Sequence, residues 1–175
     1  NVLDPFGGSG TTVLSAQEQG INAYGVDVHP FVSKIAKAKL AWDVDITELR
    51  ECFNHVISST GQRKLVSIPS SPLAKKCFPD DDVFHDLLKI RDGVLELDQC
   101  LPISKLVWLA FVGIIRATSP AGTAQWQYIL PNRTKSKTVP PFFAFEKNME
   151  IFISDIQSRK TLDLKKELDL GFVEG

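Results

Sequence analysis

The period of the apolar positions alternates between strand-like and helix-like over the first 45 residues. A short apolar strand ends at Asp4, and Thr11 to Gln19 is predicted to be a helix that stops at Gly20. A second apolar strand runs from Ala23 to Val28, and Pro30 then stands where a first helical residue is expected. Beyond it, apolar residues recur along one helical face, at Phe31, Ile35, Ala38 and Trp42. Strand, turn, helix, strand and helix in this order predict an α/β protein with a parallel sheet.

The rest of the chain is predicted to be mainly helix and loop. Helices are expected at Ile46–Ser58, Asp86–Ile90, Pro102–Thr118 and about Phe142–Ser158, the third of them apolar on nearly every side and therefore internal. Three prolines interrupt residues 61–82, which are predicted to form a loop. Short strands are expected at Trp126–Leu130 and Leu170–Val173.

This pattern divides the chain into three parts. Residues 1–44 form a βαβα unit, residues 45–145 a largely helical insertion with a basic loop at 116–141, and residues 146–175 a helix and strand that return to the sheet. The insertion is far longer than a simple crossover between parallel strands needs. The sheet is therefore expected to be incomplete and to carry a helical insertion.

Composition excludes several classes of protein. The 175 residues carry a net charge of −1, with 43% hydrophobic and 23% charged residues, as in ordinary globular domains. The three cysteines and three histidines are scattered, so no metal site is expected, and reduced thiols are typical of a cytoplasmic protein. The longest apolar run, Leu106–Ile115, is much shorter than the roughly 20 residues of a membrane span, so no membrane contact is expected.

The glycine-rich turn after the first strand is the strongest candidate for a ligand site. No lysine follows Gly10, which argues against a nucleoside triphosphate loop. Val13 occupies the place of the third glycine in a dinucleotide fingerprint. Two acids, Asp4 and Asp27, end the two strands that flank the turn.

These two carboxylates fit S-adenosylmethionine, which has a ribose diol and a cationic methionine end but no phosphate. The carboxylate that ends the second strand accepts hydrogen bonds from the ribose hydroxyls. A carboxylate at the end of the first strand suits the ammonium and sulfonium groups. Glycines allow close approach of the backbone, and the hydroxyls and helix-start amides meet polar ligand atoms. The predicted cofactor-binding residues are Asp4, Pro5, Phe6, Gly7, Gly8, Ser9, Gly10, Thr11, Thr12, Asp27 and Val28.

Two motifs resemble those of one enzyme family. Asp4–Thr12 is similar to the first motif, DPFxGSGTT, of the DNA amino-methyltransferases that modify adenine N6 or cytosine N4. Gly25–Pro30 resembles their second motif, with His29 in place of the commoner asparagine, and a looser likeness extends to 131–145 and 171–175. The resemblance implies a Rossmann-like fold, S-adenosylmethionine as cofactor, an exocyclic amine of a DNA base as substrate and a possible cognate restriction endonuclease as partner. We expect His29 to be a capping or surface residue.

The family's catalytic motif, [DNS]-P-P-[YFW], has no good match in this sequence. In that motif a polar side chain and a proline carbonyl hold the target amine, and the ring stacks on a base turned out of the duplex. Val139–Phe142 has a valine where the polar residue is needed, and Ser70–Leu73 has neither the second proline nor the ring. No catalytic residue is therefore predicted. Because the sequence starts within a strand and without methionine, it is expected to be a fragment whose catalytic motif follows Gly175.

The stretch from Gln99 to Phe145 contains five basic residues and no acid. Within its irregular loop, basic residues and an aromatic residue are interleaved, a pattern that suits neutralisation of phosphates and stacking on nucleobases. The predicted nucleic-acid-binding residues, with DNA as the partner, are Trp126, Arg133, Lys135 and Lys137. Two alternatives stay open: an RNA base methyltransferase with the same cofactor motif, and a non-catalytic remnant that binds nucleic acid or cofactor.

Overall fold

The computed structural model describes residues 1–62, 67–122, 135, 137–161 and 168–174 of the chain. Within these residues the protein is mixed α/β, with three strands, seven α-helices and one 3-10 turn. In chain order the elements are β1 (Val2–Asp4), α1 (Thr11–Glu18), β2 (Ala23–Asp27), α2 (Pro30–Lys39), α3 (Ile46–Ser59), the 3-10 turn (Thr60–Gln62), α4 (Pro72–Cys77), α5 (Asp81–Leu95), α6 (Pro102–Thr118), α7 (Pro141–Thr161) and β3 (Leu170–Glu174).

The three strands form a parallel sheet in the order β1-β2-β3. Asp4 pairs with Gly25, and Gly25 pairs on its other side with Phe172. Because the strands are parallel, their carboxyl ends lie at one edge of the sheet, and the turn that follows β1 lies there too. This edge, with the turn, is called the carboxyl edge below.

Helices α1 and α2 pack on one face of the sheet. Val13 and Ala16 of α1 and Ala36 of α2 form a buried cluster with Ala23 and Phe172 of the strands. The opposite face exposes the alternate strand residues, with Leu3 68%, Tyr24 39% and Val173 53% exposed.

A larger core lies among the helices. Its centre includes Leu49, Ile90, Val107 and Phe145, which come from α3, α5, α6 and α7. Helix α2 belongs to both cores, because Ala36 faces the sheet cluster and the neighbouring buried Ala38 joins the helical one. The division into three parts stays a prediction, and α7 spans its boundary at residue 145.

The long periodic helices and the strands were predicted within one to three residues. Pro30 is the first residue of α2, and α6 has the predicted bounds. Asp45 caps α3 by accepting hydrogen bonds from the N–H groups of Thr47 and Glu48. Helix α6 is less uniformly internal than predicted, because Ile115 and Arg116 in its last turn are exposed.

The prediction of one continuous loop at 61–82 was wrong, because α4 lies within it, and the helix predicted at Asp86–Ile90 is confirmed but is part of the longer α5. Pro72 does not break a helix but begins α4, where a missing N–H costs nothing, and Ser71 caps it. Helix α5 covers fifteen residues, because Asp80 caps its start and Gly93 does not end it. The strand predicted at Trp126–Leu130 lies outside the described residues.

The described part of the chain contains no helix that is both long and apolar enough to cross a membrane.

Candidate functional site

The turn between β1 and α1 is held by hydrogen bonds from its own backbone. Phe6 N donates to Asp4 Oδ1 at 3.1 Å, Gly7 N to Val26 O at 2.8 Å, and Gly10 N to Gly7 O at 2.9 Å. Gly8 N donates to Asp27 Oδ2 at 2.9 Å. A phosphate-binding loop needs such N–H groups for its ligand, so these four donors are not available to cradle a phosphate.

Asp27 joins the two motifs of the sequence. Its Oδ2 accepts from Gly8 of the turn, and its Oδ1 accepts from His29 N at 2.8 Å. An ionised carboxylate has about four acceptor positions, so Asp27 keeps capacity for two further hydrogen bonds. A ribose diol offers two hydroxyl donors, which matches that capacity.

The three glycines of the turn serve different purposes. A Cβ on Gly7 would lie 2.7 Å from the ring of Phe172, and one on Gly10 would lie 2.8 Å from the Cβ of Ala36, so both glycines are required by internal packing. Gly8 has a φ of +50° and meets only Phe6 O at 4.0 Å, so its missing side chain faces open space. Gly8 is therefore the glycine of this turn that leaves open space at its Cβ position.

Apolar side chains are exposed at the same edge. Phe6 after β1 is 89% exposed, and Val28 after β2 is 79% exposed. Thr11 and Thr12 at the start of α1 are also exposed, whereas Ser9 accepts a hydrogen bond from Lys39 Nζ at 3.1 Å on α2. The edge thus combines carboxylates, hydroxyls and uncovered apolar side chains, as an amphipathic cation with an aromatic base requires.

Glu174 at the end of β3 is a third acid at this edge, and it was not among the residues predicted from the sequence. It pairs in register with Asp27, and it is exposed. Residues that are paired across neighbouring strands lie on the same face of the sheet, about 4.8 Å apart, so the two carboxylates share one face. Only the strand register reveals this neighbour, because Asp27 and Glu174 are far apart in sequence.

His29 is exposed and its side chain does not cap α2. Its ring lies 6.5 Å from that of Phe31 in an edge-to-face arrangement. His29 occupies the N-cap position of α2, where its carbonyl accepts from Ser33 N at 3.0 Å, so the prediction of a capping or surface residue is confirmed.

Two of the four residues predicted to bind nucleic acid, Lys135 and Lys137, belong to the described part of the chain. Trp126 and Arg133 lie outside the described residues. Lys135 N donates to Pro120 O at 2.7 Å, and the Lys135 ammonium donates to the carbonyl oxygen of Arg116 at the end of α6. Lys137 is exposed.

The two imperfect matches to the catalytic motif are parts of helix starts. Ser71 caps α4, whereas Val139 and Phe142 pack against the helical core at the beginning of α7. Among the described residues, no three His, Cys, Asp or Glu side chains are close enough together to hold a metal ion.

Comparison with known proteins agrees with the two motifs. Residues 1–38 match a family model described as DNA methylase. The chain is 41% identical over 59 residues to Type II methyltransferase M.MjaII of Methanocaldococcus jannaschii, and this alignment covers 34% of the chain and 11% of that protein. No solved structure matches the chain significantly. These matches confirm the resemblance predicted from Asp4–Thr12 and Gly25–Pro30.

Proposed function

We propose that the carboxyl edge binds S-adenosylmethionine and that the chain is the cofactor-binding part of a Rossmann-like DNA amino-methyltransferase. The observation that carries this proposal is the bond from Gly8 N to Asp27 Oδ2, which places the open turn beside a carboxylate with spare acceptor capacity. The similarity to DNA methylases over residues 1–38 supports it independently.

The chemical groups of S-adenosylmethionine match the side chains at the carboxyl edge. Asp27 would accept the ribose hydroxyls, and Val28 would cover the adenine. Asp4 would face the ammonium and sulfonium side, and Phe6 with the turn to Thr12 would line the methionine chain. Three carboxylates attract this cationic ligand and repel a phosphate, which favours it over a dinucleotide or a nucleoside triphosphate.

The cofactor supplies a methyl group on a positively charged sulfur, and the part played by this chain is placement. Transfer of a methyl group depends on close, in-line placement of the methyl carbon and the accepting amine. The hydrogen bonds of the turn fix the backbone that faces the methionine chain, and Asp27 holds the turn and the ribose together. The accepting amine, which we propose to be adenine N6 or cytosine N4 in DNA, needs a polar residue to hold it that this sequence does not supply.

A panel of ligands tests this proposal by isothermal titration calorimetry of the 175-residue chain. We expect saturable binding of S-adenosylmethionine and of its demethylated product, and no binding of NAD or ATP. Binding of ATP or NAD instead of S-adenosylmethionine would overturn the assignment. Circular dichroism first establishes that the chain is folded under the conditions of the titration.

The partners that we propose are DNA and a cognate restriction endonuclease. A binding assay with matched DNA and RNA duplexes separates the proposed DNA enzyme from an RNA base methyltransferase. Cofactor binding without affinity for either duplex would favour a non-catalytic remnant.

A further inference from the structure

A cavity of about 400 Å³ lies among helices α1, α6 and α7, beside the end of α2, and is called the interhelical cavity below. Most of its wall is apolar and comes from Leu14, Leu106, Leu109, Phe152 and Ile156. This volume is within the range of about 300–1,000 Å³ that is typical of sites for small organic molecules. None of the described residues that line it belongs to the turn at Asp4–Thr12 or to a strand, so the cavity is separate from the carboxyl edge.

Two residues of the wall have buried N–H groups that lack an acceptor. Trp42, which follows α2, is 8% exposed, and its indole Nε1 makes no hydrogen bond to any described residue. Arg159 on α7 donates from Nη1 to Glu18 Oε1 at 2.9 Å and from Nη2 to Gln17 Oε1 at 3.2 Å. Its buried Nε has no acceptor among the described residues. Buried donors are paired in most proteins, because an unpaired donor loses the hydrogen bond that water would give it.

The two unpaired donors belong to side chains that stack on each other. The guanidinium carbon of Arg159 lies 4.9 Å from the centre of the Trp42 ring, and the bonds to α1 fix the guanidinium in that position. Both residues line the interhelical cavity, so an acceptor atom held in the cavity would satisfy them. A carbonyl oxygen has two lone pairs and can accept from two neighbouring donors.

The charged groups around the interhelical cavity balance one another. The cations among the described lining residues are Lys39 and Arg159, and the acid is Asp155. Arg159 is paired with Glu18, and Lys39 Nζ donates to Ser9 Oγ at 3.1 Å. Asp155 is exposed and lies one helical turn before Arg159 on α7. Two cations thus face two carboxylates, and the cavity favours a neutral ligand, because burial of a further charge would be costly.

We propose that the interhelical cavity binds a small neutral molecule with an apolar body and a carbonyl oxygen, which accepts hydrogen bonds from Trp42 Nε1 and Arg159 Nε. The apolar walls cover the body of the ligand, and the oxygen fixes its orientation. A hydrocarbon of the same shape would leave both donors unpaired, and a carboxylate would add a negative charge beside Asp155 and Glu18. The inference goes beyond the proposed function and does not rest on it.

A pair of ligands that differ in one group tests the proposal. Butyrophenone has a carbonyl group where butylbenzene has a methylene, and phenylbutyrate carries a carboxylate instead. The three tryptophans of the chain each have an indole N–H, and the spectrum of Trp42→Phe identifies the signal of Trp42 in a proton–nitrogen correlation spectrum. We expect butyrophenone to move this signal to lower field with saturation. It should bind at least about fivefold more tightly than either butylbenzene or phenylbutyrate. Equal affinity for butyrophenone and butylbenzene, or no shift at Trp42, would overturn the inference.

Matched variants test the role of the indole N–H. Trp42→Phe keeps an apolar ring but removes the donor, so it should weaken binding of butyrophenone by about fivefold and leave binding of butylbenzene unchanged. Trp108→Phe is the control, because Trp108 is buried to a similar degree but does not line this cavity. Equal loss of both ligands in Trp42→Phe would show that the ring packs without donating. If Trp42→Phe does not fold, the comparison of the ligands on the wild type still decides the question.

A variant that fills the cavity tests where the ketone binds. Leu109→Trp adds a ring to the wall of the cavity and should abolish binding of butyrophenone, while calorimetric titration with S-adenosylmethionine stays unchanged. Unchanged affinity for butyrophenone in Leu109→Trp, or its displacement by S-adenosylmethionine from the wild type, would overturn the inference. If the wild type binds butyrophenone but not S-adenosylmethionine, only the proposed function fails.

Discussion

At the scale of single residues, the glycines of the turn show how one motif serves packing and ligand access together. From the sequence, all of them were expected to allow close approach of a ligand. In the structure only Gly8 of the three has open space at its Cβ position, because a Cβ on Gly7 or Gly10 would meet Phe172 or Ala36. Those contacts come from β3 and α2, and no local pattern around Asp4–Thr12 predicts them.

Gly7→Ala is expected to destabilise the protein by about 1–3 kcal/mol, because the added methyl group would overlap the buried Phe172 ring. Urea unfolding followed by circular dichroism gives the free energy. In a Phe172→Leu background the cost of Gly7→Ala should be smaller, since the ring atoms at 2.7 Å are then absent.

Gly8→Ala is the matched control for the comparison of Gly7→Ala in the two backgrounds. It should cost about 1–2 kcal/mol from its left-handed backbone, with no dependence on residue 172. If Gly7→Ala costs the same in both backgrounds, the packing assigned to Phe172 is wrong.

At the scale of elements, the long helices were predictable from their apolar positions, with or without a capping side chain. Helices α3 and α6 follow from their spacing alone. Of the three prolines between 61 and 82, Pro72 was misread, because proline ends a helix when it is internal but begins one when it follows a cap such as Ser71. The middle of the chain has little apolar periodicity, so whether a proline there ends a helix or begins one depends on tertiary packing.

The cap of α3 predicts a pH dependence of stability. Hydrogen bonds from the N–H groups of Glu48 and Thr47 hold the pKa of the Asp45 carboxyl below its ordinary value of 3.8. A carboxyl with a lowered folded pKa stabilises the protein above its unfolded pKa, and this contribution is lost as pH falls through the folded value. The wild type should therefore lose stability below about pH 4.

Asp45→Asn keeps a side-chain acceptor for the cap but does not titrate. Urea midpoints between pH 7 and pH 3 should fall less in this variant than in the wild type. A midpoint that falls equally in both would show that the acid sensitivity lies elsewhere.

At the scale of the whole molecule, the two cores are linked by α2. Ala36 lies in the sheet cluster and Ala38 in the helical core, so loss of either core removes support from the other. The sequence predicted the carboxyl edge well, since Asp4, the turn and Asp27 are joined by hydrogen bonds in the structure. It did not predict Glu174 as a neighbour of Asp27, because this pairing depends on a contact between distant segments.

Phe145→Ala should destabilise the protein by about 3–5 kcal/mol, because this ring is fully buried and lies 4.9 Å from that of Phe53. Phe143→Ala, at a position of the same helix that is 58% exposed, should change stability by no more than about 0.5 kcal/mol.

In urea unfolding of the wild type, tryptophan fluorescence and circular dichroism should report one coincident transition. Two separate transitions would contradict the coupling through α2.

The central claim is that Asp27 holds the ribose of S-adenosylmethionine at the carboxyl edge, and calorimetric titration of Asp27→Ala tests it most directly. The matched control is Asp43→Asn, an exposed acid away from this edge, and all three proteins are first shown to be folded. Asp27→Ala should weaken binding by at least about 1.5 kcal/mol, the scale of a hydrogen bond to a charged group, and Asp43→Asn should not. Equal affinity in the wild type and Asp27→Ala would contradict the account.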